Sequence, residues 1–331
     1  MSDRIVIAGA SGFLGSHLVS RYRAAGATVS TIGRSSADAA WGDTAAITRV
    51  IDGADLLINL AGKSVNCRYT PANRAEILRS RVETTRELNQ AVRACHSPPA
   101  LWVNSSTATI YRHADDRPMT ESTGELGTGF SVGVARAWED EFFADDLPST
   151  RRVALRLAII LGDGSALTPL RLLTRFGLGG TQRDGHWPLT KRRRTAGTAH
   201  EFGSRAGRQK FSWIHIDDVG RIIDFVSTHP ELDGIINASA PHPTDNRSLM
   251  ASLRRVLGVR VGLPTTRWML ELGTAVIRSE TELVLKSRWV IPERLTRAGF
   301  EFSHPDLEPA IDSIITGDRP VEPVPTHPEQ S

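Results

Sequence analysis

Gly9, Gly12 and Gly15 follow a short apolar run at residues 5–8 and lead into Leu14, Leu18 and Tyr22 at helical spacing. Strand, glycine turn and helix in that order are the context in which a G-x-x-G-x-x-G spacing binds a dinucleotide. Gly9 permits the tight turn, Gly12 lets the backbone approach a pyrophosphate, and Gly15 lets the helix lie close to the strand. The helix N-terminus then faces the phosphates with free N–H groups, which adds Ser11, Phe13 and Leu14 to the expected cofactor contacts. After a second strand at residues 29–32, an NAD site would place an acid against the ribose 2′-hydroxyl. This chain reads Gly33, Arg34, Ser35, Ser36 instead, and a guanidinium beside hydroxyls suits a 2′-phosphate. The expected cofactor is NADP.

The elements that must position this turn alternate. Residues 54–60 form an almost continuous apolar run, as in a strand buried on both faces, and residues 72–95 carry apolar positions at helical spacing. A strand at 101–103, a helix at 130–143 and a strand at 153–161 follow. The pattern predicts an α/β fold: a Rossmann-type, doubly wound parallel sheet with right-handed crossovers. Past residue 162 the rhythm changes, which predicts a cofactor domain over 1–162 with segments returning from about 208–240, and a smaller C-terminal α+β substrate lobe over 163–316. Pro320, Pro323, Pro325 and Pro328, without an apolar period, predict a loose tail over 317–331.

The 331 residues are 40% hydrophobic and 23% charged, which excludes a disordered chain or a fibre. Apolar runs such as 153–161, broken by Arg156, fall short of the ~18 residues a membrane helix needs. Ser2, Asp3 and Arg4 lead straight into a strand without the apolar stretch of an export signal, so the expected location is the cytoplasm. Cys67 and Cys95 are too few for a disulfide framework and read as reduced thiols. No His or Cys spacing matches a metal site, so no metal is expected. The net charge of +3 and scattered arginines give no nucleic-acid footprint.

With these residues the chain resembles the extended short-chain dehydrogenase/reductase superfamily. More closely it is similar to the atypical, nucleoside-diphosphate-sugar-epimerase-like group that ends in a short domain of unknown function. The resemblance rests on the glycine turn, on Asn59-Leu-Ala-Gly62, on Ser80-Arg-Val82, on Ser105-Ser-Thr-Ala-Thr-Ile-Tyr111, on Trp138-Glu139, and on Ser212-Trp-Ile-His-Ile-Asp-Asp218. It implies that Asn59, Leu60, Ala61 and Gly62 pass under the adenosine ribose, and that Ser106 and Thr107 lie at the nicotinamide on the strand carrying the superfamily's catalytic Ser or Thr. It also implies a Tyr four residues before a Lys as proton donor and its helper. Those slots hold Ser131 and Ala135 here, or Val132 and Arg136 if shifted by one, so the phenol is gone.

Three tyrosines then compete for the proton-donor role. Tyr22 is expected to face solvent on the first helix, which leaves Tyr69 and Tyr111; Tyr111, just past the Ser106–Thr107 strand end, is the first candidate, its other reading being a packed aromatic. Ser131 is carried as catalytic by its slot. For substrate, Lys63 is the lysine expected at a strand end, and Arg68, Arg81 and Arg136 are candidate clamps for a carboxylate or phosphate. His215, ahead of Asp217 and Asp218, either titrates near neutrality or caps the helix. Trp138 and Glu139 read as structural.

A basic insertion at 183–203, with Lys191 to Arg194 in a row, reads as a solvated loop, a nucleic-acid patch, or a lid or homodimer contact using His186, Trp187 and His200. One short cluster without a binding module argues against nucleic acid. The expected activity is an NADP(H)-binding oxidoreductase or isomerase on a small polar metabolite. Its rivals are a catalytically silent NADP(H)-binding regulator and a non-redox lyase or dehydratase using the same pocket.

Overall fold

A computed structural model of the chain describes residues 3–317 apart from positions 165, 186, 187, 189, 196–202, 204–205 and 277–281. The central part of the basic insertion, with His186, Trp187 and His200, and the tail after Gly317 therefore lie outside the described residues.

The first half alternates strand and helix: β1 (Arg4–Ala8), α1 (Phe13–Ala24), β2 (Thr28–Gly33), β3 (Ala39–Ala40), α2 (Thr44–Ile51), β4 (Leu56–Asn59), α3 (Pro71–Ala94), β5 (Leu101–Thr107), α4 (Phe130–Phe143) and β6 (Arg151–Leu157). These strands and Gly234–Ala238 form one seven-stranded sheet in the order Gly234–Ala238, β6, β5, β4, β1, β2, β3, every pair parallel. This is the doubly wound α/β sheet that the alternation predicts. The chain winds outward from β1 in both directions, so β1 and β4 bound the crevice where such sheets bind ligands.

Alternate residues of β1 serve opposite faces. Ile5 and Ile7 pack with Leu14 and Leu18 of α1 and with Val219 and Ile222 of the helix Ile216–Thr228. Val6 and Ala8 face the other way, toward Ile47, Ile51, Leu88 and Trp102. Both faces are covered, which is why β1 and β4 read as nearly continuous apolar runs.

Three sequence expectations need correcting. The strand at 101–103 continues to Thr107, paired residue for residue with Arg151–Leu157, because its polar half satisfies itself with buried side-chain hydrogen bonds that no hydrophobic pattern reveals. The run at 153–161 is two strands: the Ala158 N–H goes to the Ala238 carbonyl, and Ile159–Leu161 leaves the sheet to pair with Trp213–His215. Tyr22 does not face solvent. It is 6% exposed, covered by the helix Ile216–Thr228, and its hydroxyl donates to Asp224 Oδ1 at 2.9 Å.

Residues after β6 add the helices Asn246–Val256 and Leu307–Thr316, which pack around Trp213, Leu249, Leu253 and Ile311, and a short antiparallel pair of Lys210–Phe211 with Thr244–Asp245. A segment from Glu282 to Val290 runs back to the residues after β5, where Met119 bridges to Val290 and Ser287 Oγ donates to the Ala114 carbonyl. It delivers side chains to the end of β5.

Candidate active site

Gly9 has φ +81, and a Cβ there would lie 2.8 Å from the Leu60 backbone. A Cβ on Gly15 would meet the Gly9 carbonyl oxygen at 2.3 Å, so any side chain pushes α1 off the turn. Gly12 differs: it is exposed, with φ −75, and its Cβ would reach only the Gly9 carbonyl at 3.4 Å. The structure leaves open space at the middle glycine, where a ligand backbone-on approach would need it. Gly12 is also the N-cap of α1, with no side-chain cap and no acid in the first turn. Ser11 and Phe13 beside it are exposed and Leu14 is buried. The first turn of the helix thus supplies no acid of its own to its positive end.

Past β2, Arg34 and Ser35 are exposed, and Ser36 turns the chain with φ 54. The first carboxylate after the strand, Asp38, accepts from Thr31 N at 2.7 Å and Thr31 Oγ1 at 2.8 Å, and these bonds hold its carboxyl below the usual range. It is committed to the strand.

At the end of β4, Asn59 is fully buried. Its Nδ2 donates to Asn104 Oδ1 at 2.7 Å and Thr85 Oγ1 at 3.2 Å, while its Oδ1 accepts from Ala61 N at 3.0 Å. Asn59 therefore fixes the bend through Leu60, Ala61 and Gly62 from below. The next residue, Lys63, is held by its backbone: its N–H donates to Ser80 Oγ and its carbonyl accepts from Arg81 at 3.0 Å. Arg81 also donates to the Ile77 carbonyl at 3.1 Å and lies 5.0 Å over the Trp138 ring. Protein surrounds its guanidinium, and that burial pushes its pKa down to about 10. Arg68 is half-buried beside Tyr69, whose ring meets Phe130 edge-on at 4.9 Å. Arg136 is exposed on α4. Five residues from Ser131, it lies about 140° around the helix, so the two cannot serve one site.

At the end of β5, Ser106 Oγ donates to Glu139 Oε1 at 2.5 Å, and Arg156 grips both Glu139 oxygens at 2.9 and 2.7 Å. Arg156 lies 4.9 Å over the Tyr111 ring, and the Tyr111 hydroxyl donates to Asn237 Oδ1 at 2.9 Å. Tyr111 is 2% exposed, and burial raises its pKa. Thr107 is half-buried, with Oγ1 accepting from Thr109 N at 3.1 Å. Ser131, at the start of α4, donates to Glu282 Oε2 at 2.8 Å.

Beside Thr109 stand two cations that sequence reasoning missed. Lys286 Nζ donates to the Thr109 carbonyl at 2.7 Å and Arg288 Nε to Thr109 Oγ1 at 3.2 Å. Lys63 is thus not alone among lysines at a strand end. One signal existed: Lys286 is among only four lysines in the chain, yet no spacing rule connects residues 177 positions apart.

His215 turns out not to titrate near neutrality. It is 5% exposed and stacked on His304 at 3.7 Å, and burial, with the second imidazole adding to it, pushes its pKa down to about 4. Its Nδ1 accepts from Asp217 N at 3.2 Å, capping the helix Ile216–Thr228.

Comparisons with known proteins bear on the fold. Residues 5–131 match the NAD dependent epimerase/dehydratase family, and residues 265–314 match a domain of unknown function, DUF1731. The chain is thus similar to the epimerase family over its first part and to DUF1731 near its C-terminal end. Its relatives include epimerase family protein YfhF of Bacillus subtilis, 27% identical over 94% of this chain and 97% of that protein. Epimerase family protein SDR39U1 of Bos taurus is 29% identical over 94% of this chain and 99% of that protein. The crystal structure of human SDR39U1, solved with NADPH, superposes with a TM-score of 0.80 at 26% identity, covering 95% of this chain and 99% of that one. DUF1731 begins at Thr265 and includes the segment that carries Glu282, Lys286 and Arg288. The segment that matches DUF1731 therefore contributes directly to the surroundings of the β5 end.

Proposed function

We propose that this protein binds NADP(H) and is an oxidoreductase or isomerase for a small polar molecule. The observation that carries this reading is the uncapped start of α1 at the open Gly12, facing a β2 end that offers Arg34 and Ser35 and keeps its nearest carboxylate on Thr31. The human relative solved with NADPH supports it.

In this reading the N-terminus of α1 receives the pyrophosphate, Gly12 lets it approach, and Arg34 with Ser35 holds the 2′-phosphate. Residues 59–62, shaped by Asn59, support the adenosine ribose. Residues 1–162, with 208–240, form the cofactor half, and 163–316 form the substrate half. A bound nicotinamide supplies or accepts hydride. Thr107 and Ser131 are the half-buried hydroxyls beside that position, and Arg81 lines its wall. Ser106 and Tyr111 take structural parts, because their hydroxyls are spent on Glu139 and Asn237 inside the protein.

That last point also favours a second reading, a catalytically silent NADP(H)-binding protein. Fluorescence titration with NADPH tests cofactor binding in both. Loss of 340 nm absorbance on adding a panel of small aldehydes and ketones is expected of the first alone. A chain that binds neither NADPH nor NADH removes both.

A further inference from the structure

Lys286 is 5% exposed, and the backbone just after it is pinned: Ser287 N donates to His113 Nδ1 and Arg288 N to the Lys210 carbonyl. The side chain reaches the turn just past β5, with Nζ 2.7 Å from the Thr109 carbonyl. That turn is held in shape by Thr109 N on Thr107 Oγ1 and by Arg288 on Thr109 Oγ1. An ammonium has three N–H donors, and the Thr109 carbonyl takes one of them. Buried donors left over are costly, and they mark a place where a ligand oxygen is wanted. The place is the C-terminal end of a central strand, where doubly wound sheets bind their ligands.

We propose that Lys286 is the proton donor of this site, its ammonium holding the carbonyl oxygen of a small aldehyde or ketone. This rests on the NADP(H) reading above. Hydride from the reduced nicotinamide adds to the carbonyl carbon, and the C=O π pair moves onto oxygen. That oxygen takes a proton from Nζ, giving an alcohol, the oxidised nicotinamide and a neutral amine. Water reprotonates the amine. The reverse sequence serves oxidation.

The surroundings suit the role. Burial and the neighbouring Arg288 push the Lys286 pKa down to about 8, with Glu282 acting in the opposite direction. Among the described residues those two are the charged groups acting on it; the packed turn of β5 presents a neutral carbonyl, and Ser131 of α4 bonds Glu282. An amine titrating near 8 can give and regain a proton near neutrality.

Because the chain has four lysines, protein labelled with [ε-13C]lysine gives a spectrum of four side-chain resonances. The one missing from Lys286→Met is expected to titrate near pH 8 without cofactor; titration above pH 10 overturns the proposal. NADPH-dependent reduction of 9,10-phenanthrenequinone is the turnover probe. Lys286→Met is expected to lose about 100-fold or more in kcat, the scale of general acid catalysis. NADPH affinity by fluorescence should stay within about twofold, which also shows that the variant folds. Lys286→Arg keeps the charge but cannot release the proton, so it should not rescue. Rescue by Arg, or near-normal turnover in Lys286→Met, overturns the proton role. So does wild-type protein that binds NADPH but leaves the quinone unreduced. Failure to bind NADPH instead removes the cofactor reading, whatever the lysine spectrum shows.

Discussion

Ser106 and Glu139 share a 2.5 Å hydrogen bond inside the protein, and Glu139 is clamped through both oxygens by Arg156. The end of β5 is therefore anchored to α4 and β6 by one carboxylate. Glu139→Ala leaves the Arg156 guanidinium buried and uncompensated, which costs about 3–5 kcal/mol. Ser106→Ala removes one hydrogen bond and costs about 1–2 kcal/mol. Urea unfolding of the two variants checks the order; equal losses would show that the ion pair does not hold this strand end.

Gly12 and Gly15 separate binding from folding. A methyl group on Gly15 would sit 2.3 Å from the Gly9 carbonyl, so Gly15→Ala should destabilise the chain by about 2–3 kcal/mol. Gly12→Ala meets nothing closer than 3.4 Å and should melt near the wild-type temperature while losing at least tenfold in NADPH affinity. Calorimetric melting and NADPH titration on both proteins read the two effects. A Gly12→Ala chain with full affinity would mean that the cofactor does not approach there.

Arg34 sets the choice between coenzymes in the proposed reading. Arg34→Ala should weaken NADPH by about 10- to 100-fold, the scale of one lost charge-assisted contact, and leave NADH nearly unchanged. Isothermal titration with each coenzyme decides it. Matching losses for both would take the 2′-phosphate away from this side chain.

His215 makes stability depend on acid. Its folded pKa of about 4 lies below the ordinary 6.5, so the unfolded chain takes up a proton there first. Stability should fall as pH drops from 6.5 toward 4, by at most roughly 3 kcal/mol from this residue, and level off below. Asp218, whose carboxyl burial pushes up, works in the opposite sense, so the wild type must be compared with His215→Asn, which keeps a helix cap. The variant's unfolding free energy should be flatter across that window. Parallel curves would assign the acid sensitivity elsewhere.

How far the sequence could be read follows from which interactions leave a local trace. Gly9, Gly12 and Gly15 could be found because a turn's backbone demands act within a few residues, and Arg34 because it follows a strand end directly. Ser106 was visible as a hydroxyl on the right strand, but its partner Glu139 lies on another element, so nothing local showed that the hydroxyl was already engaged. Tyr22 looked exposed because helical periodicity does not reveal the helix from residue 216 that covers it.

The chain's order of apolar runs, turns and glycines determined the wound sheet, the crevice at β1 and β4, and the cradle at the start of α1, since each depends on neighbours in sequence. Tertiary structure alone decided what surrounds the end of β5. Lys286 meets Thr109, and Glu282 meets Ser131, across 177 and 151 positions. Contacts at such separation are fixed by how whole layers pack, and the packing that buries the Lys286 amine beside Thr109 is not announced by its sequence neighbours.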